Sequence, residues 1–190
     1  INDDTSFQDL LAYEFHRPKN MEDDIVLHSL QGTIYQEILN GKNIVLSANT
    51  SIGKSMLIDA ILASEKFNTV VLVVPTIALI DETRQRLAKR FKSKCKIITH
   101  PSQTKSDNTG IINIYILTQE RLLNRDDITS IDFFVIDEFY KLDPKLEPED
   151  ERAIILNLAL YKLLKVSKQF YLFGPNIDNI TGLSSLNVSY

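Results

Sequence analysis

Short apolar runs alternate with amphipathic segments along most of this 190-residue chain. Runs rich in Val, Ile, Leu and Phe, each four to seven residues long, are typical of strands buried on both faces of a parallel sheet. They occupy residues 43–48, 69–75, 96–99, 111–117, 133–137 and 170–174. Apolar residues at helical spacing lie between them, at 29–40, 54–64, 77–91 and about 150–166. This alternation predicts an α/β domain whose strands are joined by right-handed crossovers.

The same pattern divides the chain into two parts. Residues 1–28 have weaker periodicity, and we expect them to form an accessory arm packed on a single domain over residues 29–190.

No apolar run reaches the ~20 residues that span a bilayer, so we expect no membrane segment. The first residues lack the features of a secretory signal, and the lone Cys95 excludes an internal disulfide. These features predict an intracellular, cytoplasmic protein.

Charge is unevenly distributed along the chain. The formal net charge of −4 disfavours binding to nucleic acid through bulk electrostatics. Residues 83–96, however, contain seven basic side chains and no acidic one. Two interpretations of this basic segment remain open, a solvated helix face and an edge that contacts nucleic acid.

The segment after the first apolar run carries the most informative chemistry. It contains, in order, Ala48, Asn49, Thr50, Ser51, Ile52, Gly53, Lys54 and Ser55. A strand, such a loop and a following helix bring backbone N–H groups and the positive helix end onto phosphate oxygens. Lys54 would neutralise phosphate charge, and the Ser55 hydroxyl would bind Mg²⁺. The segment predicts a site for a nucleoside triphosphate with Mg²⁺, although Ala48 replaces the usual first glycine.

Two adjacent acids, Asp137 and Glu138, follow the apolar run that ends at residue 137. Ligands of open α/β sheets bind at the carboxyl ends of the strands, where these acids and the phosphate loop would meet. In a P-loop ATPase, a carboxylate at this place holds Mg²⁺, and the next one polarises the attacking water. We therefore assign Asp137 to the metal and Glu138 to the catalytic base, beside the catalytic Lys54. Without the phosphate loop, the pattern would more often be a solvated acidic turn.

With these two sites in this order, the chain resembles the first RecA-like domain of a superfamily 2 helicase, in the DEAD/DExH-box group. Residues 48–55 are similar to motif I of that group, and residues 137–140, which read DEFY, are similar to motif II. The resemblance extends over residues 31–176. It implies a three-layer α/β/α RecA-like P-loop NTPase domain that binds ATP with Mg²⁺ and hydrolyses it.

Two further strand ends resemble motifs that hold nucleic acid in this group. Residues 75–79 are similar to motif Ia, and residues 117–122 are similar to motif Ib. The resemblance implies contacts with the sugar-phosphate backbone of DNA or RNA through hydroxyls, amides and helix N-termini. The residues concerned are Pro75, Thr76, Thr118, Glu120 and Arg121. For Thr76 and Thr118, helix N-capping is at least as good an interpretation as direct contact.

Gln31 lies 23 positions before Lys54, which is the spacing of the Q motif in this group. Its amide offers one acceptor and two donors, which matches the N6/N7 edge of adenine and favours ATP over other nucleotides. The ring of Phe15, or that of Tyr13, would stack on the base, or either would only anchor the arm in the core. Gln36 competes for the adenine contact, although its spacing is less typical.

The sixth apolar run ends in a departure from the pattern of the group. Gly174, Pro175 and Asn176 stand where a Ser-Ala-Thr motif usually hydrogen-bonds motif II and links the nucleotide site to a second RecA-like lobe. Gly and Pro supply no hydroxyl, so we expect interlobe coupling to differ here. Motifs of the second lobe do not occur in this sequence. We therefore expect that lobe in the full-length protein, and little ATPase activity from this chain alone.

The sequence predicts the ATP-binding lobe of a nucleic-acid-dependent ATPase or helicase. Such a lobe couples ATP hydrolysis to translocation on DNA or RNA, or to its remodelling, through closure of two lobes around ATP. Two alternatives remain open. One is a P-loop ATPase switch that does not act on nucleic acid, and the other is a non-catalytic scaffold lobe that binds nucleic acid or a partner protein.

Overall fold

The computed structural model describes residues 7–21, 25–47, 53–142 and 151–175, and the structural statements below concern these residues. Within them, six strands form one sheet: β1 (Ile44–Ser47), β2 (Thr69–Val73), β3 (Cys95–Ile98), β4 (Ile112–Leu117), β5 (Ile131–Asp137) and β6 (Ser167–Gly174). The helices are α1 (Phe7–His16), α2 (Ser29–Leu39), α3 (Lys54–Ala63), α4 (Ile77–Phe91), α5 (Gln119–Leu123) and α6 (Glu151–Val166). Short 3₁₀ turns occupy Lys92–Lys94 and Phe139–Leu142.

The strands run parallel in the order β1-β6-β5-β2-β4-β3. Strand β6 lies between β1 and β5, and its register places Phe173 opposite both Leu46 of β1 and Asp137 of β5. All carboxyl ends therefore lie at one edge of the sheet. In the described sheet, the end of β6 lies between the end of β1 and the end of β5 at that edge.

Helices cover both faces of the sheet. Leu57 of α3 and Leu87 of α4 are fully buried in the core on one face, and Leu122 of α5 and Leu163 of α6 are fully buried in the core on the other. Burial of each such side chain contributes about 1.5–3 kcal/mol, before the opposing loss of conformational entropy. The three-layer α/β/α fold predicted from the sequence is confirmed.

All six predicted strands are confirmed, with ends that differ by at most three residues. Helix α2 ends at an Asn-Gly pair, in which Asn40 is the C-cap and Gly41 has a φ of 91°, a conformation that glycine adopts without strain. Residues 119–123 form a short helix, α5, which the apolar pattern did not predict, although N-capping by Thr118 was one of its two interpretations. This short helix forms because Thr118 caps the good helix formers Gln, Glu, Arg and Leu that follow.

The described part of the predicted arm contains a helix, α1, which packs on α2. The imidazole of His16 lies so close to Gly32 that a Cβ at this glycine would clash with the ring Cδ2. The Gln36 Nε2 donates to the Phe15 carbonyl at 3.1 Å, and the Leu27 N–H donates to the His16 carbonyl at 2.9 Å. The His16 ring and the Gln36 side chain thus tie the end of α1 to the domain, and the Leu27 bond fixes the chain within the arm. Among the helices described, none has the length and apolar character needed to cross a membrane.

Candidate nucleotide-binding site

Of the predicted phosphate loop, the structure describes residues 53–55, where α3 begins. Ala48, Asn49, Thr50, Ser51 and Ile52 lie outside the described residues, so their phosphate contacts stay predictions. Gly53 is the N-cap of α3 and has a φ of 66°, a left-handed conformation that glycine adopts without strain. Glycine has no side chain that could accept hydrogen bonds from the first backbone N–H groups of α3. Another acceptor can therefore bind to these N–H groups. Such a helix N-terminus attracts phosphate oxygens.

Lys54 and Asp137 meet at the carboxyl edge of the sheet. The Lys54 Nζ lies 3.1 Å from the Asp137 Oδ1, and both side chains are about one fifth to one quarter exposed (21% and 24%). The ammonium also lies 4.2 Å from the centroid of the Phe173 ring, a cation–π contact. Phe173 stands opposite Asp137 in the register of β5 and β6. The predicted phosphate-binding lysine and metal-binding acid therefore share one site, with an aromatic ring beside them that the sequence analysis did not single out.

Glu138, the predicted base, adopts an unusual backbone conformation. Its φ of 58° lies in the left-handed region, which is uncommon for residues other than glycine and which concentrates at functional sites. Its carboxylate Oε2 is 2.5 Å from the Nζ of Lys141, and a third of the side chain is exposed. The chain therefore turns sharply after Asp137, and Glu138 presents an accessible carboxylate at the end of β5.

Gln31 lies against the phosphate loop, as its spacing predicts. The side chain is 2% exposed, its Nε2 donates to the Gly53 carbonyl at 3.2 Å, and its Oε1 accepts from the His28 N–H at 2.9 Å. The amide thus connects the start of α2 to the end of the loop. Recognition of adenine by this residue stays a prediction.

Three other residues are candidates for contact with the base, and the structure shows the surroundings of each. Phe15 and Tyr13 are both exposed on α1, at 48% and 39%. Neither ring is therefore an anchor in the core. Gln36 holds the Phe15 carbonyl at the end of α1. Stacking of Phe15 on a base stays a prediction.

The two threonines of the predicted nucleic-acid motifs both cap helices. The Thr76 Oγ1 accepts from the Leu79 N–H at 3.3 Å, at the start of α4. The Thr118 Oγ1 accepts from the Arg121 N–H at 3.4 Å, at the start of α5, and Thr118 is 6% exposed. The capping interpretation is therefore confirmed for both. Because β2 and β4 are neighbours, the two helix N-termini lie side by side at the edge that carries Lys54.

The remaining candidates of these motifs differ in exposure. Pro75 is half-buried and Glu120 is exposed, while the Arg121 Nη1 donates to the Thr99 carbonyl at 3.1 Å. Gly174 ends β6 and Pro175 follows it, whereas Asn176 lies outside the described residues. The proposed roles of all these residues in binding or coupling stay predictions.

A buried acid on α3, Asp59, ties the phosphate-loop helix to α4. Its side chain is 3% exposed and pairs with Arg86 and with the Arg90 Nε, the latter at 3.2 Å. The Arg86 Nη1 also donates to the Ser55 carbonyl at 3.2 Å. Burial raises the pKa of Asp59, and the two arginines oppose that effect. Arg86 and Arg90, two members of the basic segment, thus pack against α3 and stabilise the fold. The sequence pattern did not reveal this arrangement.

Arg125 was also missed by the sequence analysis. It is 3% exposed, and its guanidinium donates to the carbonyls of His100 and Gln103 at 2.9 and 2.8 Å and to both oxygens of Asp127. The turn that follows β3 is therefore fixed at the same edge of the sheet. No sequence motif marks this arginine, because its partners come together only in the folded sheet.

Comparison with known proteins agrees with this geometry. The family model of the DEAD/DEAH box helicases matches residues 28–173. The chain is 48% identical over 184 residues to anti-bacteriophage protein B of Escherichia coli (strain K12), a match that covers 94% of this chain and 25% of that protein. The chain thus spans a quarter of the length of this curated relative.

Solved structures share the fold at low sequence identity. The Sulfolobus solfataricus SWI2/SNF2 ATPase core in complex with dsDNA is similar with a TM-score of 0.59 and 18% identity, over 85% of this chain and 34% of that chain. A hypothetical ATP-dependent RNA helicase from Sulfolobus tokodaii is similar with a TM-score of 0.57 and 19% identity, over 82% and 48%. These likenesses confirm the RecA-like fold. Since the family model matches well over half of its residues, the chain belongs to the DEAD/DEAH box helicase family.

Proposed function

We propose that this chain is the ATP-binding lobe of an ATPase that moves along or remodels nucleic acid. The observation that carries the proposal is the meeting of Lys54 and Asp137, 3.1 Å apart, at the carboxyl edge of a RecA-like sheet. A cation for phosphate and a carboxylate for a metal are the two side chains that a P-loop ATPase needs at this place.

In the proposed mechanism, each group at the edge has one task. Lys54 leaves Asp137 and pairs with phosphate oxygens, which also accept from the first amides of α3. The Ser55 hydroxyl and the Asp137 carboxylate would hold Mg²⁺, since they are oxygen donors of the kind that this ion prefers. When bound, the ion neutralises charge on the phosphates. Glu138 orients the attacking water, and Gln31 recognises adenine.

Nucleic acid would lie across the helix N-termini that follow β2 and β4. The amides of α4 and α5, together with the exposed Thr76 and Glu120 and with Arg121, face this edge. Contacts of this kind hold the sugar-phosphate backbone without reading sequence and need no large positive charge. Membership of a helicase family supports this proposal, and one structural neighbour is an ATPase core in complex with dsDNA.

The intact protein would close a second RecA-like lobe over the nucleotide and act in the cytoplasm. The chain covers only a quarter of its curated relative, which leaves room for such a lobe in a protein of that length. The name of that relative suggests a role in defence against bacteriophages, which we propose for this protein as well.

The proposed chemistry is tested by replacing Glu138 with Gln in the intact protein. The variant should bind ATP like the wild type but lose at least ~10²-fold in hydrolysis, because the water is no longer polarised. Glu82→Gln, which changes an exposed acid on α4, is the matched control and should keep full activity. Hydrolysis by the wild type should rise when single- or double-stranded DNA or RNA is added. Failure of every nucleic acid to stimulate it would favour the switch that does not act on nucleic acid.

A further inference from the structure

Tyr171, in the middle of β6, carries a buried polar group without a partner. Its side chain is fully buried, at 0% exposure, and its hydroxyl makes no hydrogen bond. Among the described residues, no other buried side-chain nitrogen or oxygen shares this condition. A buried hydroxyl without a partner is unfavourable, and phenylalanine would fill the same space without that cost. The hydroxyl therefore needs an explanation beyond packing.

The sheet register places Tyr171 directly below the nucleotide site. Tyr171 stands opposite Val135, and Phe173 stands opposite Asp137, so these four side chains lie on the same face of neighbouring strands. Two residues of a strand rise by about 6.6 Å, a distance that a tyrosine leaning along its strand is long enough to bridge. The Tyr171 and Phe173 rings are in contact, with centroids 5.3 Å apart. The Phe173 ring in turn lies below the Lys54 ammonium.

The Asp137 carboxylate acts on the Tyr171 hydroxyl electrostatically. Burial raises the pKa of Tyr171 above its usual range, and the negative charge of Asp137 raises it further. A phenol hydroxyl donates hydrogen bonds, and a carboxylate accepts them. In this structure Asp137 is paired with Lys54.

We propose that Tyr171 is a positioning residue for the metal-binding carboxylate, an inference that rests on the proposed ATP site. When Lys54 leaves Asp137 to pair with phosphate, the Tyr171 hydroxyl donates to Asp137, directly or through one ordered water. The tyrosine then takes over from the lysine in orienting the carboxylate toward Mg²⁺. The hydroxyl that has no partner in this structure would thereby gain one.

Tyr171→Phe in the intact protein tests this inference, because it removes the hydroxyl and keeps the ring. Without nucleotide, the melting temperature should stay unchanged or rise, since no hydrogen bond is lost. The affinity for a non-hydrolysable ATP analogue should fall roughly tenfold with Mg²⁺, and should not change when EDTA removes the metal. A purely structural role would affect both affinities equally and would lower the melting temperature.

Tyr35→Phe is the matched control. Tyr35 is also fully buried, but its hydroxyl accepts from the Lys19 N–H at 3.1 Å. This variant should melt at a lower temperature and bind the analogue like the wild type. Wild-type affinity of Tyr171→Phe in Mg²⁺, or an equal loss with and without the metal, would overturn the inference and leave the proposed function intact. If the wild type itself failed to bind the analogue, both proposals would be wrong.

Discussion

The ammonium of Lys54 lies 3.1 Å from the carboxylate of Asp137, although 83 positions of sequence separate the two residues. The parallel sheet makes this possible, because the carboxyl ends of β1 and β5 lie at one edge with β6 between them. Lys54 begins the helix that follows β1, and Asp137 ends β5. In this structure the two charges neutralise each other. Under the proposed function, ATP with Mg²⁺ would bring a negative partner for the lysine and a positive partner for the aspartate, so binding would open this ion pair.

We expect Asp137→Asn to abolish ATP hydrolysis while changing stability little. The Lys54–Asp137 pair is partly exposed, so its loss should lower the free energy of unfolding by no more than about 1 kcal/mol without nucleotide. Urea denaturation and an ATPase assay on the same preparation measure the two effects. A loss above about 3 kcal/mol would mean that Asp137 serves mainly to hold the fold, and retained hydrolysis would remove it from the metal site.

Asp59→Asn should destabilise the protein strongly. The change leaves Arg86 and Arg90 without their buried partner, which we expect to lower the free energy of unfolding by roughly 2–4 kcal/mol. Asp81→Asn is the control, because Asp81 forms an exposed pair with Arg84 at 3.5 Å, and it should lose less than about 0.5 kcal/mol. Equal denaturation midpoints for the two variants would contradict the role given to Asp59.

The pH dependence of stability should reveal the Arg125–Asp127 interaction. The hydrogen bonds from Arg125 hold the pKa of Asp127 below its ordinary value of 3.8. The stabilisation is therefore present above that value and is lost as the pH falls through the lowered pKa. Asp127→Asn should lower the melting temperature more at pH 6 than at pH 3. A difference from the wild type that is the same at both pH values would contradict this account.

Gly53→Ala should damage both the fold and nucleotide binding. A Cβ at Gly53 would lie 2.5 Å from the Gln31 Nε2, and the residue has a φ of +66°. Gly41→Ala isolates the backbone effect, because Gly41 has a φ of +91° and nothing lies within 4 Å of its added Cβ. Both variants should lose about 1 kcal/mol of stability through strain. Only Gly53→Ala should also weaken ATP binding, measured by calorimetry, and equal ATP affinities would argue against a role for this contact.

Much of the site could be predicted because it follows from local pattern and sheet topology. Apolar runs marked the strands, and polar residues at their ends marked the edge where Gln31, Gly53, Lys54 and Asp137 assemble. A parallel sheet brings these strand ends to one edge whatever the individual side-chain contacts are, so the edge could be located without them. The resemblance to a helicase family then supplied the roles.

What could not be predicted depends on contacts between distant segments. Asp59 looks like an ordinary polar position of a helix until α4 covers it with two arginines. Tyr171 looks like any aromatic residue of a buried strand, and only the register with β5 places it below Asp137. The threonines of the two strand-end motifs have a capping role that the sequence alone could not separate from nucleic-acid contact.

The affinity of the intact protein for ATP with Mg²⁺, compared between the wild type and Lys54→Ala, tests the central claim most directly. Lys94→Ala is the control, because it removes the same charge from an exposed pair with Glu65. Isothermal titration should show binding by the wild type and Lys94→Ala, and a loss of at least about tenfold for Lys54→Ala. Equal affinity of all three proteins for ATP would contradict the assignment of this edge as the nucleotide site.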